Sequence, residues 1–300
     1  MLTAPSLHLP DNEVALRRAL EGQSYWQTVW DRLRRDKVTL TAMAILALIV
    51  LAAILAPVIS PYSPYQGSVV NRLQPIGTPG HWLGTDEGGR DMLTRMMHGG
   101  RLSLLAGVVP VLIALIVGVS LGILAGFAGG WVNTLIMRTT DVFYAFPPVL
   151  LAVAITGTLG SGIANTIIAL SITFTPPLIR ITETVTTQVR TQDFVDAARA
   201  SGAPVHAILR HHILSNVLGP ILVYATSLIS ICIILASGLS FLGLGVPPPF
   251  AEWGLMLNSL RQAIWVEPWV AALPGLMIFI TSMSFNLMSD GLRQAMDVRI

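Results

Sequence analysis

Six long apolar stretches, near residues 38–60, 102–126, 133–157, 162–183, 217–240 and 270–289, constrain what this chain can become more than any other feature. A helix needs about 20 apolar residues to cross the hydrocarbon core of a bilayer. In lipid, only structures that satisfy every backbone N–H and C=O internally are stable. The third and fourth stretches are the least continuous. Hydrophobic residues make up 53% and charged residues 11% of the 300, and mean hydropathy is +0.68, far from a soluble domain. The expected fold class is all-α, a polytopic membrane protein with about six transmembrane helices.

The charges suggest an orientation. Lys37 is the sole lysine, so the other basic residues are arginines. With the N-terminus in the cytoplasm, 13 of the 18 basic residues fall inside: six before the first span, then Arg138, Arg180, Arg190, Arg199, Arg210, Arg293 and Arg299. Arg72, Arg90, Arg95, Arg101 and Arg261 fall outside. That split follows the positive-inside rule and accounts for the small net charge, so nucleic acid is not an expected partner. Some 37 mostly polar residues precede the first span, which does not read as a signal peptide. Within them Trp26, Val29, Trp30 and Leu33 recur at helical spacing beside Arg32, Arg34 and Arg35. That pattern suits a helix at the inner headgroup level or a packing face for a partner chain. Cys232, the single cysteine, lies in a span and reads as packing.

One polar passage interrupts this pattern, Asp196-Ala197-Ala198-Arg199-Ala200-Ser201-Gly202-Ala203-Pro204, continuing through Arg210-His211-His212-Ile213-Leu214-Ser215-Asn216. The alanines favour helix up to Ser201, Gly202 suits the left-handed position past a helix end, and Pro204 suits the first turn of the next helix. Ala203, before a proline, is biased away from helix. Two short helices joined by a tight corner are expected. In the second, Val205, Ile208 and Leu209 share one face, with His206 and Arg210 elsewhere, as in a helix lying along a surface. By itself this describes an ordinary interfacial connector between spans.

The spacing of Asp-Ala-Ala, three residues, Gly, nine residues and a hydrophobic exit resembles the EAA loop of bacterial binding-protein-dependent ABC importer permeases. Further matches cover most of the chain. Leu83-Gly84-Thr85-Asp86, Gly89-Arg90-Asp91 and Arg101-Leu102-Ser103-Leu104 resemble the C-type subunit of the dipeptide, oligopeptide and nickel branch. So do Met137-Arg138 with Asp141, Ser240 to Gly245, Glu252-Trp253-Gly254, Phe285-Asn286-Leu287 and Asp290-Gly291-Leu292-Arg293. Departures are Asp196 for Glu, Ser215 for Pro, Ser289 for Gly, Asn133 for Asp and Val298 for Pro.

The resemblance implies an ABC importer type I permease fold in the bacterial inner membrane, with both termini cytoplasmic. It divides the chain into an N-terminal interfacial segment (1–37), a first transmembrane helix (38–60), an extracytoplasmic loop (61–100), a permease core (101–290) with a cytoplasmic coupling loop (192–216), and a C-terminus (291–300). Implied partners are a second, homologous permease, two ABC ATPase subunits, an extracytoplasmic solute-binding protein and membrane lipid. No cofactor is expected in this chain, because ATP would be bound by the ATPases. Coupling is expected at Gly202 for the corner, at Ala197, Ala198, Val205, Ile208 and Leu209 for packing, and at Asp196, Arg199 and Arg210 for polar contacts. The implied cargo is peptide, with nickel or another peptide-like solute as the alternative.

Other features carry expectations of their own. Asp86, Glu87, Arg90 and Asp91 around Gly88-Gly89 suit a compact turn held by charge pairs, ordered against the partner permease or the binding protein. Ala114, Gly118, Gly122 and Gly126 recur every fourth residue, a small-residue face for another helix of this chain. Pro147-Pro148 and Pro176-Pro177 are expected to interrupt their spans. Arg138 and Asp141 read as a structural pair. Thr173, Thr175, Ser227, Ser230, Ser282 and Asn286 could line a polar path or bond backbone carbonyls. Gly243 to Phe250 with Trp253 reads as an outer rim with interfacial aromatics. A phosphate-binding loop needs Gly-Lys-Ser/Thr, and Lys37 follows Asp36, so this chain is not the ATPase. His211-His212 lacks zinc-peptidase spacing and no Gly-x-Ser-x-Gly occurs, which disfavours an enzyme. A secondary carrier or channel would call for an inverted repeat or a mid-membrane charge.

Overall fold

The computed structural model describes residues 25–296. The readings attached to Arg17, Arg18, Val298 and Arg299, and to the side chain of Trp26, lie outside the described residues. Those residues form helices α1 (Tyr25–Arg35), α2 (Lys37–Ile59), α3 (Met92–Ala128), α4 (Gly130–Tyr144), α5 (Pro148–Leu159), α6 (Ile163–Arg190), α7 (Asp193–Ala200), α8 (Val205–Phe241), α9 (Trp253–Ser259) and α10 (Pro268–Met296). Helices α2, α3, α6, α8 and α10 are each long and apolar enough to cross a membrane.

The third predicted span, 133–157, is not one helix. It divides into α4 and α5, bent by 86° at residues 145–147. Pro147 and Pro148 explain the break: Pro148 opens α5 at its first turn, where a missing N–H costs nothing. Taken together the pair makes a sixth span. Pro176-Pro177, expected to interrupt the next span, instead lies inside the continuous helix α6.

Proline inside a membrane helix frees the carbonyl four residues earlier, and neighbouring groups must take it up. Two such carbonyls are answered from other helices. Pro57 frees the Ala53 carbonyl, which accepts from Arg101 Nε at 2.6 Å. Pro110 frees the Ala106 carbonyl, which accepts from the buried Cys232 thiol at 3.7 Å. Cys232 and Arg101 thus tie α8 to α3 and α3 to α2.

Helices α3 and α6 form the most extensive pair. The small-residue stripe is the reason. A Cβ on Gly118, Gly122 or Gly126 would lie 2.6, 2.5 or 2.7 Å from the Cβ of Leu178, Thr182 or Thr186 respectively. These α6 residues also recur every fourth position, so two matched rows let the backbones approach. Packing of this kind holds helices together in lipid, where apolar burial alone supplies little.

Part of the apolar face of α1 is used within the chain. Val29 and Leu33 are buried against Leu292, Ala295 and Met296 at the end of α10, with Met43 of α2. Trp30 stays half exposed, with the Arg34 guanidinium 4.9 Å from its ring centre. The Arg138–Asp141 pair is present at 3.8 Å, and the other Asp141 oxygen accepts from Arg180 of α6. Of the hydroxyls with two open roles, Thr173, Thr175, Ser227, Ser230 and Ser282 all donate to carbonyls three or four residues back in their own helices.

Candidate coupling loop and the opposite cap

Helix α3 begins beside the 61–91 loop and ends near Arg190 and Arg199, so its length separates the two ends of the bundle. At the far end, α6 stops at Arg190, and α7 follows after Thr191-Gln192. Asp193 and Asp196 lie in the first turn of α7 and Arg199 in its last, matching the helix dipole. Gly202 closes the helix at φ +76°, with its N–H on the Arg199 carbonyl and the Ala203 N–H on the Ala198 carbonyl. No atom would meet a Cβ there within 4 Å, so the backbone angle alone selects glycine. The predicted corner at Gly202-Ala203-Pro204 is therefore present.

The second helix differs from expectation. Rather than lying on a surface as a separate piece, it is the first part of α8, with a π-helical stretch over Ile208–Leu214. The wider turn rotates the residues after Ala207, and the expected common face is divided. Ile208 is 2% exposed whereas Val205 is 59% exposed. Ile208 and Ile213 join Val195 of α7 in the main core, with Ala198 and Leu209 packed beside them. Asp196, Ala197, Arg199, Gly202, Val205 and Arg210 remain exposed.

The polar residues bond mainly within the loop. Arg199 Nη1 donates to Asp196 Oδ1 at 3.0 Å, and its guanidinium sits 5.8 Å from the Phe127 ring centre. Arg190 Nη1 donates to the Phe127 carbonyl at 3.0 Å, stitching the ends of α6 and α3. Residues Phe127, Arg190, Thr191, Asp196 and Arg199 line an open hollow of about 400 Å³. Sequence reasoning missed Val195 and Phe194. Val195 is fully buried and anchors α7, and Phe194 lies exposed 6.0 Å from the His212 ring. Two adjacent apolar residues in an otherwise polar helix were the available signal.

At the opposite end the charges are buried. Asp86 Oδ1 accepts from the Gly88 and Arg90 N–H groups at 2.8 and 2.9 Å, and its Oδ2 accepts from Arg90 Nε at 2.7 Å. Arg95, 2% exposed, places Nε 3.1 Å from Asp86 Oδ2 as an ion pair without hydrogen-bond alignment. Its Nη1 donates to the Pro64 carbonyl at 2.8 Å. Asp91 caps α3 through the Thr94 N–H at 2.8 Å and contacts His81 Nδ1 at 3.0 Å. The compact charged turn is confirmed.

Glu252 is 1% exposed and accepts from Ser103 Oγ and the Gly254 and Leu255 N–H groups, at 2.9, 3.0 and 2.8 Å. Trp253, read as an interfacial aromatic, is instead 1% exposed, stacked on Gly99 and Gly100, with Nε1 donating to the Met96 carbonyl at 2.9 Å. A tryptophan that fills a glycine-made slot and finds a partner for its N–H is stable in a core.

Residues 118–300 match the family described as binding-protein-dependent transport system inner membrane component. The chain belongs to that family. Residues 24–75 match the N-terminal TM domain of oligopeptide transport permease C. A glutathione transport system permease protein of Pectobacterium atrosepticum is 39% identical over 92% of this chain and 91% of its own length. A dipeptide transport system permease protein of Alkalihalophilus pseudofirmus is 40% identical over 92% and 91%. A glutathione transport system permease protein of an Escherichia coli strain is 42% identical over 96% and 95%. The protein is thus a multi-pass permease of an ABC importer, in a family of transporters rather than catalysts. Membership implies ATPase and binding-protein partners.

Proposed function

We propose that this permease imports short peptides or peptide-like solutes across the bacterial inner membrane, paired with a second, homologous permease and driven by two ATPases docked on α7 and the Gly202 corner. The peptide reading rests on the dipeptide and glutathione transport named for its relatives. The coupling reading rests on one observation. Helix α7 presents an exposed polar face while Val195 beneath it shares a core with Ile208 and Ile213 in the first turns of α8. A force on α7 is therefore delivered to α6 and α8 through packed side chains, the contact a two-state gate needs. In this arrangement both termini and the α7 loop face the cytoplasm, as the arginine distribution favours, and residues 61–91 face the binding protein.

The test is ATP-dependent uptake of labelled dialanine and glutathione by vesicles carrying the complete importer, with Gly202→Val beside the native chain. Normal abundance with uptake lowered at least tenfold is expected. Normal uptake in Gly202→Val would remove the corner from the coupling path, and transport of nickel in place of either peptide would overturn the cargo.

A further inference from the structure

Between α6, α8 and α10, near the end that carries α7, lies a cavity of about 540 Å³. That size is typical of small-molecule sites. Its walls include Ile181, Tyr224, Ser227 and Ser289, and α10 contributes two opposite charges, Asp290 and Arg293. Residues three apart on a helix can meet, yet no ion pair joins these two, and no described residue pairs with either. Two of the lining hydroxyls are already oriented. Ser227 donates to the Tyr224 carbonyl at 2.8 Å and Ser289 donates to the Val223 carbonyl at 2.8 Å. Each hydroxyl oxygen keeps free lone pairs. Both charged side chains are exposed near the end of α10, so the cavity presents them to an entering solute.

We propose that this cavity is a transit site in the permease itself for the two charged ends of a short peptide, a reading that rests on the peptide cargo above. Arg293 receives the terminal carboxylate, Asp290 receives the terminal ammonium, and Ile181, Pro220 and Val223 accept the side chains. The spacing suits the ligand. Side chains three apart start about 5 to 6 Å from one another, and two extended residues span roughly 7 Å. A solute lacking either charge leaves one of these groups unanswered, so the site would favour peptides with free termini.

The test uses the permease–ATPase complex in lipid nanodiscs without its binding protein, and measures equilibrium binding of labelled dialanine, its C-terminal amide and its N-acetyl form. In the native complex each blocked form is expected to bind at least tenfold more weakly, the scale of a charge-assisted hydrogen bond. Arg293→Gln should weaken dialanine by a similar factor and erase the difference between acid and amide, leaving discrimination against the N-acetyl form. Asp290→Asn should do the reverse, and Arg293→Lys should stay within a few-fold of native. Variants that keep both discriminations overturn the site. So does Arg293→Gln that sheds the ATPases on purification, which would make Arg293 a subunit contact. A complex that imports dialanine in vesicles but does not bind it here refutes the cavity and leaves the cargo standing. If the complete importer takes up no dialanine, the cargo reading fails and the site with it.

Discussion

The two ends of the bundle are held by different physics. At the cap, Asp86, Arg95 and Glu252 are withdrawn from solvent and held by several fixed hydrogen bonds, Arg95 Nε, Thr94 Oγ1 and Glu87 Oε2 being buried without one. At the α7 end the charges are exposed, and Val195 with Ile208 and Ile213 does the anchoring. Buried polar networks are rigid because moving one member strands another. Apolar anchors under a polar helix allow the helix to tilt while staying attached. The contrast supports the proposal that one end holds its shape while the other transmits a displacement.

The largest expected effect breaks the cap. Glu252→Ala strands the Ser103 hydroxyl and two N–H groups at the start of α9, each an expensive loss when buried. About 3 kcal/mol or more of destabilisation is expected, read as lowered abundance and Tm in detergent. Glu252→Gln, which retains an oxygen acceptor, should fall between. If Glu252→Ala left both quantities native, the cap would not be the rigid end.

Next comes the seam joining the two ends. Gly122→Val forces atoms into a space where a Cβ already sits 2.5 Å from Thr182, and overpacking of this kind costs about 1 to 3 kcal/mol. Tm should fall, and a paired Thr182→Ala should restore part of it, because the two substitutions share one contact. Equal Tm with and without Thr182→Ala would separate Gly122 from α6.

How much of this was legible from sequence follows the same division. The small-residue stripe and the Gly202 corner were readable because each depends on local chemistry: a missing Cβ, or a backbone angle. The charged turn at Asp86 to Asp91 was readable for the same reason, since Gly88 and Arg90 on Asp86 and Thr94 on Asp91 all lie within four residues. Glu252 and Trp253 were not. Their partners, Ser103 and Met96, are 149 and 157 residues away, and no pattern along the chain announces them. The π-helical stretch was equally hidden, since it arises where Ile208 and Ile213 must both reach the core. The break at Pro147-Pro148 and the continuity at Pro176-Pro177 show the same limit: identical dipeptides, with neighbouring helices deciding the outcome.

A smaller stability effect is expected at the corner. Gly202→Val places a β-branched residue at φ +76°, which costs about 1 to 2 kcal/mol, and with open space around it nothing else is disturbed. Gly202→Asn, which tolerates that angle better, should recover most of the uptake that Gly202→Val loses. If Asn proved as damaging as Val, the site would need the absence of a side chain, pointing to a partner pressed against the corner.

The smallest effect sharpens the comparison most. The Asp196–Arg199 pair is exposed at both ends, with side-chain exposures of 66% and 43%, so it contributes little to stability. Asp196→Asn should leave stability within about half a kcal/mol of native, and Tm correspondingly unchanged. Uptake is the informative readout, because the chain gives Asp196 no buried partner whose loss could lower it. Reduced ATP-driven uptake at unchanged Tm would mean that Asp196 acts on another subunit, as expected of an end built to transmit. Unchanged uptake would shift the polar contact to Arg199 or Arg210, and if those substitutions were also silent, docking would rest on two exposed apolar residues, Phe194 of α7 and Val205 at the start of α8.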